Sequence, residues 1–247
     1  MDTLSGRSVL ITGAARRIGA ALARGFHAEG ANICIHFHRS APEAEQLRDD
    51  LNRTRAGSAV LASADLLDLD ALPTLVERTV KAFGSLDVLI NNASTFYPTP
   101  LGRITASHWD DLIGTNLRAP LFLAQAAAEP LRIARGLILN LIDIHAQRPL
   151  PQHPVYSTAK AGLVMLTRSL ARELGPDVRV NGIAPGPILW PEGGLAQTLQ
   201  QEIIDKTLLK RIGSPDDIVR AALFFALGAP YVTGQILAID GGRSVGW

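Results

Sequence analysis

Residues 139–163, "LNLIDIHAQRPLPQHPVYSTAKAGL", bring three groups of unlike chemistry close together. An apolar run ends in a carboxylate, Asp143; thirteen positions later stands a phenol, Tyr156, and four after that an ammonium, Lys160. On a helix, Tyr156 and Lys160 share one face, a single turn apart. A free tyrosine has a pKa of about 10, too high to exchange protons readily near neutrality. A nearby ammonium favours the phenolate, so Lys160 is expected to lower the Tyr156 pKa and fit it as proton donor in a hydride reduction. Lysine is otherwise scarce, found only at Lys81, Lys206 and Lys210. A lysine inside the small, apolar stretch "STAKAGLVML" is out of place as a solubilising residue. The plain structural alternative is a snorkelling lysine beside a core tyrosine.

A second constellation sits near the N-terminus. "LITGAARRIGAALA" runs from a strand into a helix, with Gly13 for the tight turn and Gly19 for close helix packing. The helix N-terminus and its backbone N–H groups would attract a pyrophosphate. After the next strand, "ANICIHF", comes "HRS", where a site selecting NAD would place an acid for the ribose 2′-hydroxyl. His38, Arg39 and Ser40 instead offer donors to a 2′-phosphate, and Arg16 and Arg17 add positive charge. NADPH is therefore the expected cofactor. "SADLLD" puts Asp65 where a carboxylate accepts from an adenine amino group, and "INNAS" puts Asn91 and Asn92 where they line the cofactor. Either could equally be a turn-forming residue.

These groups need a scaffold. "SVLIT", "NICIHF", "AVLAS", "LDVLINNA", "GLILNLID", "VRVNGIAP" and "GQILAID" are short and β-rich. Between them lie segments of helical spacing such as "RIGAALARGFHAEG" and "LDALPTLVERTVKAFG". Continuous apolar strands alternating with helices predict an α/β fold: a single-domain Rossmann-type, doubly wound parallel sheet of about seven strands with helices on both faces. Its ligand crevice lies at the carboxyl ends of the strands. The 247 residues fit one domain over 1–247, with no repeat or linker to divide it. The least regular region, 184–214, carries prolines and glycines and predicts a substrate lid at about 186–210.

Composition narrows the class. A net charge of +1 points to neither nucleic acid nor an anionic membrane. The one cysteine, Cys34, leaves no intrachain disulfide and reads as a small buried core residue in a reducing compartment. "MDTLSGRSVLITG" has no signal-peptide pattern, and no stretch approaches a membrane span, so a cytoplasmic protein is expected. His27, His36, His108, His145 and His153 are scattered without metal-ligand spacing, and no metal is expected.

"TGAARRIG", "ADL", "NNAS", "YSTAK" and "VNGIAPGPI", in this order and spacing, resemble the short-chain dehydrogenase/reductase family over essentially the whole chain. The resemblance implies a nicotinamide cofactor, with Tyr156 and Lys160 as catalytic pair and Lys160 also on the nicotinamide ribose. It implies that Asn116 of "GTNLRAP" supports a proton relay through water. Ile18, Leu66, Ala93, Ser94, Pro185, Gly186 and Ile188 would complete the cofactor site.

Three positions depart from the general pattern: Arg17 replaces a glycine, Ser94 replaces a glycine, and Asp143 stands where a catalytic serine belongs. With "HAEG", "HFHRS" and "NNASTFYPTPL", they resemble the pteridine reductase branch in its compact bacterial form. Phe96 would then stack on a pterin, and Arg17, Ser94, Asp143, Tyr156, Leu189 and Trp190 would contact it. The implied reaction is NADPH-dependent reduction of a pterin or folate, Tyr156 protonating N5 of a dihydropterin. Asp143 would help deliver a proton through water for an oxidised one. Asp143 would repel the oxyanion that a ketone reductase must stabilise. A ketone or 3-oxoacyl reductase remains the enzymatic alternative, and a non-catalytic NADPH-sensing module the alternative of another class. The resemblance further implies a homotetramer, with the "DGGRSVGW" tail approaching a neighbouring subunit.

Overall fold

Each apolar run expected to be a strand is one. The computed structural model describes residues 3–191 and 193–246; Met1, Asp2, Glu192 and Trp247 lie outside the described residues, so the expected lid and tail each lack one residue of description. In chain order the elements are β1 (Ser8–Ile11), α1 (Arg17–Ala28), β2 (Asn32–Phe37), α2 (Ala41–Thr54), β3 (Ala59–Ser63), α3 (Leu72–Phe83) and β4 (Val88–Asn91). There follow α4 (Ala106–Ile113), α5 (Ala119–Ala134), β5 (Leu137–Leu141), α6 (Pro154–Leu174) and β6 (Arg179–Pro185). The chain closes with α7 (Gln197–Asp205), α8 (Pro215–Leu223) and β7 (Ile236–Ile239). All seven strands are parallel, in the order β3-β2-β1-β4-β5-β6-β7.

Strand alternation distributes side chains between two cores. Val9 and Ile11 of β1 face a layer containing Leu22 and Phe26 of α1, Leu47 of α2 and Ile218 of α8. Leu10 between them faces Leu75 of α3 and Leu123 and Leu131 of α5. β2 repeats the pattern, with Ile33 and Ile35 in the first layer and Cys34 in the second. Burying such a Leu or Ile contributes about 1.5–3 kcal/mol, which is why strands covered on both faces must be continuously apolar. Burial also pushes the Cys34 thiol up to about 11, leaving it inert.

Local signals end the helices. α3 stops at Gly84, whose φ of 83° is the left-handed cap and whose N–H reaches the Val80 carbonyl. Ser214 and Asp217 form a reciprocal capping box at the start of α8. Between α4 and α5, Gly114–Arg118 winds as a wider π-type turn carrying Asn116. The region expected to be irregular contains α7, whose glutamines and isoleucines suit a short helix, though none of its side chains is buried. Among the described residues no helix is long and apolar enough to cross a membrane.

One polar seam interrupts the second core. Asn91 and Asn140 are register partners on β4 and β5, and the Asn91 amide donates to Asn140 Oδ1 at 2.8 Å. The Asn140 amide donates to Thr167 Oγ1 of α6 at 2.9 Å, and Thr167 donates to the Leu163 carbonyl at 2.7 Å. Asn91 is therefore spent inside the sheet and does not line the crevice as expected.

β1 and β4 are neighbours at the point where the strand order reverses. Connections leaving their carboxyl ends diverge there and open a crevice.

Candidate active site

The turn after β1 forms one wall of the crevice. Gly13 has φ 60°, and a Cβ there would lie 3.0 Å from Ala93 Cα. A Cβ on Gly19 would sit 2.2 Å from the Gly13 carbonyl, so both glycines allow backbone to approach backbone. Helix α1 begins at Arg17 with no side-chain cap on its first amides and no acid in its first turn. That leaves N–H groups and a helix dipole facing the crevice, which suits a pyrophosphate. Arg17 itself has φ 54°, in the left-handed region that a side chain resists. Its guanidinium donates to the Trp190 carbonyl at 3.1 Å, tying the turn to the segment after β6.

The structure brings together nearly all the expected cofactor residues. Gly13, Arg16, Arg17, Ile18, Gly19, His38, Ser40, Asn92, Ala93 and Ser94 line one continuous part of the crevice. Arg39, Asp65 and Leu66 join it beyond His38, and Arg39 is exposed with no ion pair among the described residues. Asp65 uses one oxygen to accept the Leu67 amide at 3.0 Å, and the other lies 3.9 Å from His38 Nε2. At the opposite end Pro185, Gly186, Ile188 and Leu189 face Asp143, Tyr156 and Lys160. A groove of about 810 Å³ between α3 and α5 is larger, but none of the candidate site residues lines it.

α6 presents Tyr156 and Lys160 one turn apart, both buried. Lys160 donates to the Leu141 carbonyl at the end of β5 at 3.0 Å, and its Nζ lies 5.7 Å from the centre of the Tyr156 ring. Burial lowers its pKa to about 8, against the pull of Asp143 in the other direction. Tyr156 donates to Asp143 Oδ2 at 2.8 Å, while Asp143 Oδ1 accepts the His145 amide at 2.8 Å. These two bonds fix the carboxylate at the start of a short turn after β5.

The expected effect on Tyr156 is corrected in sign. Its pKa is raised well above the ordinary value, first by burial and then by the adjacent Asp143. A phenolate beside a carboxylate in a desolvated site is doubly disfavoured, and the ammonium does not offset this. Tyr156 is thus held as a protonated phenol.

The Asn116 side chain bonds to two neighbouring segments. The amide donates to the Leu112 carbonyl at 2.9 Å and the Thr95 carbonyl at 3.0 Å, and its oxygen accepts from Ser94 at 2.7 Å. It therefore braces the Ser94–Thr95 loop against the π-type turn. Ser94 donates its hydroxyl to Asn116 while still lining the crevice beside Tyr156. Phe96 is half exposed, packs edge-on against Tyr156 with centroids 4.8 Å apart, and stacks on His153 at 4.8 Å with planes 11° apart.

His153 was invisible as a site residue because nothing in its spacing links it to Phe96. Thr12 was likewise unmarked, yet its hydroxyl accepts the Asn92 and Ala93 amides at 2.9 and 3.0 Å. It joins the turns after β1 and β4. Among the described residues no group of acidic, histidine or cysteine side chains is placed to hold a metal.

The arrangement is a long crevice whose one end suits a dinucleotide and whose other end holds a fixed phenol proton. A family model described as Enoyl-(Acyl carrier protein) reductase matches residues 13–244. Pteridine reductase 1 of Leishmania tarentolae is 34% identical over 277 residues, covering 96% of this chain and 96% of the relative. The 3-oxoacyl-(acyl-carrier-protein) reductase FabG of Staphylococcus aureus is 34% identical over 240 residues, covering 96% and 97%. That of Chlamydia muridarum is 32% identical over 245 residues, covering 98% of each chain. Identity thus fails to separate the two substrate classes.

Proposed function

The chain belongs to the short-chain dehydrogenase/reductase family and is an oxidoreductase, and from that premise we propose that it is an NADPH-dependent pteridine reductase. The observation that carries this reading is the Asp143 carboxylate bonded to the Tyr156 hydroxyl. An oxoacyl or ketone reductase must stabilise negative charge on oxygen, and an acceptor-only carboxylate opposes that. A pterin C=N bond gains hydride at carbon and becomes basic at nitrogen, which calls for a proton instead.

The residues present fit NADPH. Gly13 and Gly19 open the pyrophosphate cradle, Arg39 and Ser40 suit the 2′-phosphate, and Lys160 suits the nicotinamide ribose. When bound, NADPH supplies the hydride. Tyr156 then gives its hydroxyl proton to the adjacent ring nitrogen, completing a C–H and an N–H bond. The phenolate left beside Asp143 is unfavourable, so it recovers a proton from solvent water. Asp143 holds the Tyr156 hydroxyl in place until its proton turns from the carboxylate to the substrate nitrogen, and Phe96 would offer its face opposite His153 to the flat substrate. Arg17 and Ser94 would reach the pterin edge by exchanging their present partners. The same proposal covers a moving lid at 186–210, a homotetramer and a cytoplasmic location. Exposed Trp109, Ile133 and Met165 support assembly, which sedimentation would test.

The deciding assay follows NADPH oxidation with dihydrobiopterin, dihydromonapterin, dihydrofolate and an acetoacetyl thioester. Faster turnover of a dihydropterin is expected, with large losses in Tyr156→Phe and Asp143→Ser. The second reading, a 3-oxoacyl reductase, rests on the FabG identities and wins if the thioester is the better substrate.

A further inference from the structure

We propose that His36 is a positioning residue of the nucleotide site: its imidazole, bonded on one edge to the Gly13 amide and on the other to the Ala64 carbonyl, fixes the pyrophosphate turn relative to the adenosine end. This rests on the reading of the crevice as a nicotinamide-nucleotide site, and goes beyond it by assigning a role to a buried side chain that takes no part in the chemistry.

His36 is the fifth residue of β2, and alternation places it on the same face as Cys34. Only 2% of it is exposed. The Gly13 N–H donates to Nδ1 at 3.0 Å, which requires Nδ1 to be unprotonated. The ring proton therefore sits on Nε2, which donates to the Ala64 carbonyl at 3.2 Å. Backbone bonds reinforce both joints: Ala14 N–H donates to the His36 carbonyl at 2.9 Å, and Ala64 N–H to the Phe37 carbonyl at 3.2 Å. One side chain thus spans the carboxyl ends of β1, β2 and β3.

Gly13 explains why such a link is needed. It lacks a side chain and must stay so, because a Cβ would press on Ala93. Its part-buried amide, turned out of the strand ladder, takes its acceptor from His36. An imidazolium offers no acceptor at Nδ1, so protonation would break the link. Burial holds the His36 pKa down to about 4; His38 pushes the same way, while Asp65 and the Ala64 bond oppose it. Arg16 and Arg39 line the same stretch of crevice and add positive charge.

The test is a fluorescence titration with NADPH alone, so that no pterin enters. In His36→Asn the amide oxygen stands near the place of Nδ1 and keeps the acceptor for Gly13. His36→Gln reaches only toward Ala64, and His36→Phe fills the space with neither bond. Expected is NADPH affinity within about threefold of wild type for Asn, and weaker by about tenfold or more for Gln and Phe. In turnover the loss appears in KM for NADPH more than in kcat. Unchanged affinity in Gln and Phe, or affinity that merely tracks Tm across all three variants, would overturn the proposal. So would an imidazole nitrogen NMR spectrum showing the proton on Nδ1 at neutral pH. Failure of the wild type to bind NADPH or NADH overturns the nucleotide reading itself, and the role of His36 with it.

Discussion

The Tyr156 hydroxyl bonds to Asp143 at 2.8 Å, so the group touching the phenol is a carboxylate and not the ammonium one helical turn away. Replacing Asp143 by Asn keeps an acceptor and removes the charge. The Tyr156 pKa should then fall toward its ordinary value, since Asp143 is one of the causes that raise it. Ultraviolet titration should show phenolate forming at lower pH in Asp143→Asn than in wild type. Pterin turnover should fall by about tenfold or more, because the phenol loses the charge-assisted bond that orients it.

Lys160 predicts opposite pH trends for activity and stability. With a folded pKa of about 8 against an ordinary 10.5, the unfolded chain binds more protons between those values. This group therefore makes stability rise with pH across that window, while the charged form needed at the nicotinamide ribose is lost. The kcat/KM profile should fall above about pH 8 as Tm holds or climbs. A rate loss that coincides with a falling Tm would contradict the assignment.

Arg39 should decide between the two nicotinamide nucleotides. It is exposed and without an ion pair among the described residues, so its charge is available to a 2′-phosphate. Arg39→Ala should weaken NADPH binding by roughly tenfold or more and leave NADH nearly unaffected. Parallel losses for both nucleotides would argue against a phosphate contact.

Phe96 stacks on His153 and packs edge-on against Tyr156, beside the proposed proton donor. Phe96→Ala should raise KM for dihydropterin by roughly twofold to tenfold, the worth of one aromatic contact. His153→Ala should give a smaller rise, and His153→Phe should restore it. An unchanged KM in both alanine variants would remove Phe96 from the substrate site.

Gly19→Ala tests the cradle. The added methyl would fall 2.2 Å from the Gly13 carbonyl and 2.7 Å from the Asn92 amide nitrogen, both parts of fixed backbone turns or their supports. Overpacking of this kind costs about 1–3 kcal/mol, and calorimetry should show a lowered Tm with NADPH no longer stabilising the fold.

The seven strands were legible because burial on both faces forces an apolar run, as at Val9–Ile11 and Ile33–Ile35. The site turns were legible because Gly13, Gly19 and the Tyr156–Lys160 spacing each serve a local geometric need. What stayed hidden depends on contacts distant in sequence. Nothing near Tyr156 announces that Asp143 outweighs Lys160, since burial enters only when the fold closes. His36 and Gly13 lie 23 residues apart, and Phe96 and His153 meet only because the loop after β4 is bonded to the turn before α6. Asn91 misled for the opposite reason: one residue from a crevice-lining amide, it points the other way along an alternating strand.

The paired amides of Asn91 and Asn140 act as a key between β4 and β5. Sliding either strand by one residue would turn an amide out of its layer, and sliding by two would strand polar groups among leucines. β4 delivers Ser94 and Phe96, and β5 delivers Asp143. The spacing between the aromatic platform and the proton site is thus set in advance, deep in the sheet, by two side chains that no substrate ever touches.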